Sequence, residues 1–213
     1  MNNLIVVGPK DTIPDGFSVI NTTSQDKIGL GKNLSPFYLG PVQLYEGNQA
    51  KNLENAWQFS KVYSNHFDKL NNTIKDDYFT WSKKGWNDYF AHRYPMGKGV
   101  KPLFSFWKFF NKETQIWEEV YLDYISARTN IYIPLYAKLV YNTQAYVQLK
   151  NMLLNGDKLA LWDFDGYDFN KKNMTFKDVI FEPKYKCGHA FVIYGLLTNQ
   201  IIIQNDEVIF NFL

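Results

Sequence analysis

Glu54, Gln58, Lys61 and Asn65 recur at spacings of three and four residues. On a helix each residue advances about 100°, so these side chains fall in a stripe roughly 60° wide. The apolar set Ala56, Phe59, Val62, Tyr63, Phe67 and Leu70 lies opposite. A carboxylate, an amide and an ammonium in one row can bind a sugar or a phosphate, and Glu54 and Lys61 stand close enough to tune each other's pKa. A solvated polar face is the alternative, because polar stripes are what surface helices carry. A second group surrounds Gly97 and Gly99, where Arg93, Lys98 and Lys101 flank backbone amides. That combination suits a diphosphate or a nucleic-acid backbone, and equally a solvated turn. Trp81, Trp86 and Trp107 interleave with these cations, either as stacking platforms for bases or as core. His66, His92 and His189 show no metal-ligand spacing and Cys187 is the only cysteine, so neither a metal nor a cofactor is expected and no internal disulfide is possible. Cys187 reads as a buried structural thiol.

The elements that must position these groups follow from periodicity and turn residues. The three-and-four spacing predicts one helix over Asn52 to Leu70, with Asn52 as its cap. Leu4 to Val7 reads as a short strand ended by Gly8-Pro9, and Phe17 to Ile20 as a second strand within a polar, turn-rich stretch. Leu34 to Tyr45 gives short extended pieces and turns. The aromatic stretch Asp77 to Trp117 predicts two helical pieces around the basic glycine loop, and Asp123 to Gly156 two more helices, stopped at Asn155-Gly156. Trp162 to Asn170 is an acidic aromatic loop. A last helix is expected over Cys187 to Leu197, followed by a hairpin over Gln200 to Leu213 with its turn at Asn205-Asp206.

With 213 residues, 46% of them hydrophobic and 18% aromatic, the chain can bury a sizeable core. The expectation is a single domain over residues 1–213, of α+β class and mainly helical, with short strands near both chain ends. A net charge of +2 is too small for strong non-specific binding to duplex nucleic acid. No apolar run approaches the roughly 20 residues that span a bilayer, and Met1-Asn2-Asn3 lacks the features of a signal peptide, so a cytoplasmic protein with no membrane partner is expected. The abundance of Asn, Lys, Ile, Phe and Tyr is what AT-rich coding sequence produces in bacteriophage and some bacterial genomes; a phage-encoded protein would act in the host cytoplasm.

Several blocks, taken together, resemble a known family. Leu34-Ser35-Pro36-Phe37-Tyr38, then Leu53-Glu54-Asn55-Ala56-Trp57-Gln58, then Lys61-Val62-Tyr63 look like the opening of the NADAR family, which shows F-S-N-F, S-E-H-x-F-Q and A-K-F. Asp123-Tyr124, Arg128 and Tyr132 resemble its D-W-xxx-R-xxx-M helix, and Leu153 to Asp157 its L-L-x-T-G-D/N helix end. Asp163 to Asp168 occupies the place of its acidic loop, and Gly188 to Val192 resembles its closing L-G-x-x-L-M helix. The blocks keep the family's order over residues 34–197. The chain departs from the pattern at Pro36, Asn55 and Tyr124, which stand where the family has Asn, His and Trp. No W-G pair follows Asp168, and residues 80–119 form an aromatic insertion.

The resemblance implies an N-glycosidase that hydrolyses a ribosyl C1′–N bond through an oxocarbenium-like transition state. It implies an ADP-ribosyl or nucleotide-like substrate, foremost ADP-ribose on guanine in DNA, as in reversal of a toxin or host-defence modification by a phage counter-defence protein. The aromatic, basic insertion would hold a single strand. It also leaves open a small-molecule N-glycosidase acting on a ribosylated pyrimidine, and an inactive member that binds ADP-ribose or a modified base. On this basis Glu54 is the catalytic carboxylate, and Lys61 pairs with it or contacts a phosphate or ribose oxygen. Asp168, or Asp165 beside it, orients ribose hydroxyls or water. Arg128 matches the family's arginine and would fork onto phosphate, with an ion pair to Asp123 as the alternative. Ser35, Tyr38, Trp57, Gln58, Tyr124, Arg93 and Lys98 complete the expected substrate-binding set, with Tyr38 or Trp57 stacking on the base.

Overall fold

The computed structural model describes residues 3–26 and 29–212. Its contacts divide the chain into two compact units: one is built from Met1–Leu39 and Ile133–Leu213, the other from Gly40–Tyr132. The first unit opens with β1 (Leu4–Val7), β2 (Ser18–Asn21) and the single-turn α1 (Gly31–Leu34). The second unit carries β3 (Val42–Gln43), β4 (Gln49–Ala50), α2 (Leu53–Gln58), β5 (Lys61–Val62), β6 (Phe67–Asp68), β7 (Thr73–Ile74), α3 (Asp76–Trp86), β8 (Phe104–Asn111), β9 (Ile116–Leu122), α4 (Tyr124–Ala127) and a π-helical turn, Arg128–Tyr132. The first unit then resumes with α5 (Ile133–Tyr141), α6 (Gln144–Leu154), β10 (Leu159–Trp162), α7 (Phe176–Phe181), α8 (His189–Leu197), β11 (Ile201–Gln204) and β12 (Glu207–Phe210). Helices and strands are mixed in both units, so the chain is α+β. Among the described residues no helix is long and apolar enough to cross a membrane.

In the first unit the expected strands at 4–7 and 17–20 both form, but they do not pair with each other. Each pairs in parallel with β10, which lies between them, Leu4 opposite Leu159 and Leu159 opposite Ser18. β10 was not expected as a strand. Leu159, Ala160 and Leu161 are all fully buried, and a strand covered on both faces shows no polar alternation to announce it. Helix α8 packs on this sheet with seven of its residues buried, as a nearly all-apolar helix must be. It starts at His189, not at Cys187.

The two stops read from turn residues are both present. At Asn155-Gly156 the amide of Asp157 donates to the Met152 carbonyl and that of Gly156 to Leu153, with Gly156 at φ +91°, a Schellman motif. In the terminal hairpin Asn205 and Asp206 both have positive φ, as a type I′ turn demands, and Ile201 pairs with Phe210.

The second unit departs most from expectation. The helix predicted over 52–70 ends at Gln58. Beyond it the backbone is used by tertiary partners: the Phe59 carbonyl accepts from Tyr78 and Ser82, the Phe106 amide donates to the Ser60 carbonyl, and Lys61 and Val62 pair with Ser105 and Phe104. Sheet pairing therefore overrides helical spacing, and Lys61 is a strand residue. Of the two helical pieces expected in 77–117, the first is α3; the second is replaced by the hairpin β8–β9, paired from Ser105–Leu122 to Asn111–Ile116. Its aromatic and β-branched content favours a pleated, half-buried surface. Trp86 and Trp107 are buried and Tyr45 meets both edge-on, at 5.8 and 5.0 Å, so these indoles are core. Trp81 packs against Phe59 at 4.6 Å.

Candidate functional site

Asn52 caps α2 by accepting from the Asn55 amide at 2.8 Å, and this fixes which side chains the short helix turns inward. Glu54 and Gln58 follow one turn apart, at 6% and 8% exposure, so polar groups have been taken out of water and need partners. They find them in a row. Gln58 Nε2 donates to Glu54 Oε1 at 2.8 Å, and Lys61 Nζ, arriving from β5, donates to Gln58 Oε1 at 2.7 Å. A carboxylate accepts only and an ammonium donates only, so the amide has one possible orientation between them. The ammonium also sits 4.6 Å from the centre of the Trp57 ring. Burial lowers the Lys61 pKa to about 8, with the Glu54 charge pulling it back up. Asn65, expected in the same stripe, is exposed in the turn after β5 and offers only its carbonyl, to Lys75.

The neighbouring Asn55 has a different task. It is fully buried, donates to the Asp88 and Phe90 carbonyls at 3.0 and 2.8 Å, and accepts from the His92 amide at 2.9 Å. One side chain therefore clamps the loop that leads to the cations. Tyr89 and Phe90 on that loop are each 79% exposed, and Lys51 lies 4.8 Å from the Tyr89 ring. Arg93 lies over Tyr94 at 5.5 Å, and Lys98 is exposed between Gly97 and Gly99, both at positive φ.

Arg128 opens the π-helical turn, at 2% exposure, with its guanidinium 4.5 Å from the ring of the half-exposed Tyr124. The turn is wide because Thr129 and Asn130 hydrogen-bond back to the Ile125 and Ser126 carbonyls. Asp123 accepts from the Ser126 amide at 2.7 Å and so serves as the cap of α4. Tyr132, at the end of the same turn, meets Trp57 at 5.3 Å, which joins the arginine's element to α2. Trp57 thus already holds Lys61 and Tyr132 against its ring.

The remaining expected site residues belong to the other unit. Ser35 is buried and accepts from the Phe37 amide; Tyr38 is half exposed with Lys32 5.9 Å above its ring. Asp165 pairs with Lys186 at 2.7 Å, and Asp168 accepts from the Asn170 and Lys171 amides, organising its own loop. In this unit the residues that come together are ones the sequence left unpaired. Asp163 follows β10 directly, and its Oδ2 faces His189 Nδ1 at 3.1 Å while accepting from the Ala190 amide at 3.3 Å. His189 Nε2 meets the Thr22 carbonyl at 2.7 Å, so that nitrogen carries hydrogen and donates, while Nδ1 faces the carboxylate. Gly188 permits this approach, since a Cβ there would lie 2.3 Å from Asp163 Oδ2. The only signal was Asp163 and a Gly188-His189 helix start, both at the carboxyl edge of a parallel sheet that could not be read beforehand. Among the described residues no group of three or more His, Cys, Asp or Glu could hold a metal ion. No protein-family model, curated protein or solved structure matches the chain.

Proposed function

We propose that this chain is an N-glycosidase that cleaves a ribosyl C1′–N bond, with ADP-ribose on guanine in DNA as its foremost substrate. The observation that carries the proposal is the row of buried Glu54 and Gln58 with half-buried Lys61, whose pKa is lowered to about 8. Cleavage of such a bond builds positive charge on the sugar and negative charge on the departing base. Glu54 supplies the carboxylate that stabilises the cation or activates water, and Lys61 a proton donor poised near neutral pH. Gln58 keeps the two apart, so neither neutralises the other by direct contact. Arg128 takes phosphate, and the clamped loop with Arg93, Lys98 and its exposed aromatics takes the strand. The residues of the row are those that carry the NADAR resemblance, which supports the same chemistry.

One observation favours a second proposal, a non-catalytic binder of ADP-ribose or a modified base. Asn55 stands where that family has His and is fully used in holding the 88–92 loop. Purified protein incubated with an ADP-ribosylated oligonucleotide, free ADP-ribosyl metabolites and ribosyl-pyrimidine phosphates separates the cases. Release of ADP-ribose from the oligonucleotide is the expected result; saturable binding with no release selects the binder, and turnover of the small molecules alone moves the substrate class.

A further inference from the structure

A cavity of about 390 Å³ opens inside the unit formed by Met1–Leu39 and Ile133–Leu213, well separated in sequence from the Glu54 row. Its walls are aliphatic: Leu153 from α6, Leu196 from α8, and Ile201 to Ile203 from β11. The geometry of the walls is set by a second Schellman motif. The Gln200 amide donates to the Gly195 carbonyl and that of Asn199 to Leu196, with Asn199 at φ +56°, which turns β11 back along α8. Gly195 lets Ile201 seat against the helix, because a Cβ there would lie 2.6 Å from Ile201 Cδ1. Lys138 pairs with Asp206 at 3.0 Å and ties the hairpin turn to α5. The space between β11 and α6 remains open.

Its polar lining is made of Tyr141, Tyr146, Lys150 and Asn199. Tyr146 and Lys150 lie one turn apart on α6, and no Asp or Glu lines the cavity. Tyr146 is 3% exposed, yet its hydroxyl makes no hydrogen bond among the described residues. The hydroxyl is open to the cavity and not sealed in the core, so a bound acceptor can reach it. Burial, reinforced by Tyr141, pushes its pKa up to about 12, so it stays a neutral donor. Lys150 is exposed and makes no ion pair among the described residues. Tyr146 and Lys150 therefore place two hydrogen-bond donors, one of them a cation, beside an aliphatic wall. The volume falls in the range of small-molecule sites, which combine an apolar lining with a few placed polar groups.

We propose that this cavity binds a small amphipathic carboxylate, its aliphatic chain against Leu153, Leu196 and the β11 isoleucines and its headgroup on Tyr146 and Lys150. Such a ligand uses the phenol and the ammonium together, which a neutral apolar ligand does not. The site is independent of the proposed glycosidase activity, since it shares no residue with the row.

Titration of the full chain with sodium octanoate, followed by calorimetry and by the methyl NMR signals of the lining leucines and isoleucines, tests this directly. One equivalent is expected to bind, perturbing those methyls. Octan-1-ol should bind about tenfold more weakly, as should octanoate to Tyr146→Phe. Octanoate should bind Lys150→Met about threefold more weakly, in keeping with an exposed ion pair. Leu153→Trp, which fills the cavity from a half-buried position, should abolish binding while an unchanged far-UV spectrum shows that the chain still folds. No saturable binding, equal affinity for octanoate and octanol, or unaltered binding in both Tyr146→Phe and Lys150→Met would each overturn the proposal. So would concentration-dependent dimerisation that octanoate leaves untouched and Leu153→Trp abolishes, because the groove would then be filled by a second copy.

Discussion

Two acid–base couples among the described residues, Asp163–His189 and Glu54–Gln58–Lys61, are built in opposite ways. In Asp163–His189 the acid touches the base, the imidazole has a partner on each nitrogen, and the carboxylate also serves the first turn of α8. Such a closed set holds elements together and has no valence left for a substrate. In Glu54–Gln58–Lys61 an amide separates acid from base, and Lys61 makes one hydrogen bond and one ring contact, which leaves donor capacity unused. Direct contact gives a fastener; an interposed amide holds acid and base in one row, linked through that amide.

Breaking the closed couple should have the largest effect on stability. Asp163→Ala leaves His189 buried without its partner, and about 3–5 kcal/mol of unfolding free energy should be lost. Urea denaturation checks this, and a loss below about 1 kcal/mol would show that the couple is not a fastener.

Asn55→Ala removes three hydrogen bonds from a fully buried site and should cost about 2–3 kcal/mol. Hydrogen exchange over residues 88–92 should accelerate at the same time, since this one side chain binds two carbonyls and one amide of the loop. Unchanged exchange there would mean that the loop is held by other contacts.

The open couple should show itself through pH. Lys61 releases its proton at about 8 in the folded chain against an ordinary 10.5, so between those values the unfolded chain binds more protons and stability should rise with pH. Below about pH 8 the lysine is charged in both states and the burial penalty is fully present. Lys61→Met should flatten that rise, as followed by thermal melting from pH 7 to 10; a melting curve whose pH dependence is the same in both proteins contradicts the perturbed lysine. The smallest effect is expected from Lys98→Ala: binding of a single-stranded oligonucleotide should weaken a few-fold, and the slope of log K against log salt should fall by about 1.

How much of this was legible depended on whether the deciding interaction was local. Gly156, Asn205 and Asp206 announce their turns by residue type, because the needed φ is a property of the residue itself, and those stops were read correctly. The capping of α2 by Asn52 was legible for the same reason. The end of α2 was not, because it is set by Tyr78, Ser82 and Phe106, 18 to 46 residues further along the chain. Nor was β10, a buried strand whose neighbours in the sheet are more than a hundred residues away in sequence. For the site the result is mixed. The pairing of Glu54 with Gln58 follows from helical spacing. Lys61 reaches the same row from a strand, not from the helical spacing that placed it there in the sequence. Asn55 stood out only as a departure from a motif, and its role as a clamp depends on a loop that no local pattern predicts.

The most direct test of the open couple is single-turnover release of ADP-ribose from an ADP-ribosylated oligonucleotide by the native chain and by Glu54→Gln. The substituted amide can still accept from Gln58, so folding and the row's outline are preserved while the charge is removed. A drop of about 10² or more in rate with an unchanged melting temperature is the predicted result. Full activity in Glu54→Gln would contradict the assignment of the row as the catalytic centre.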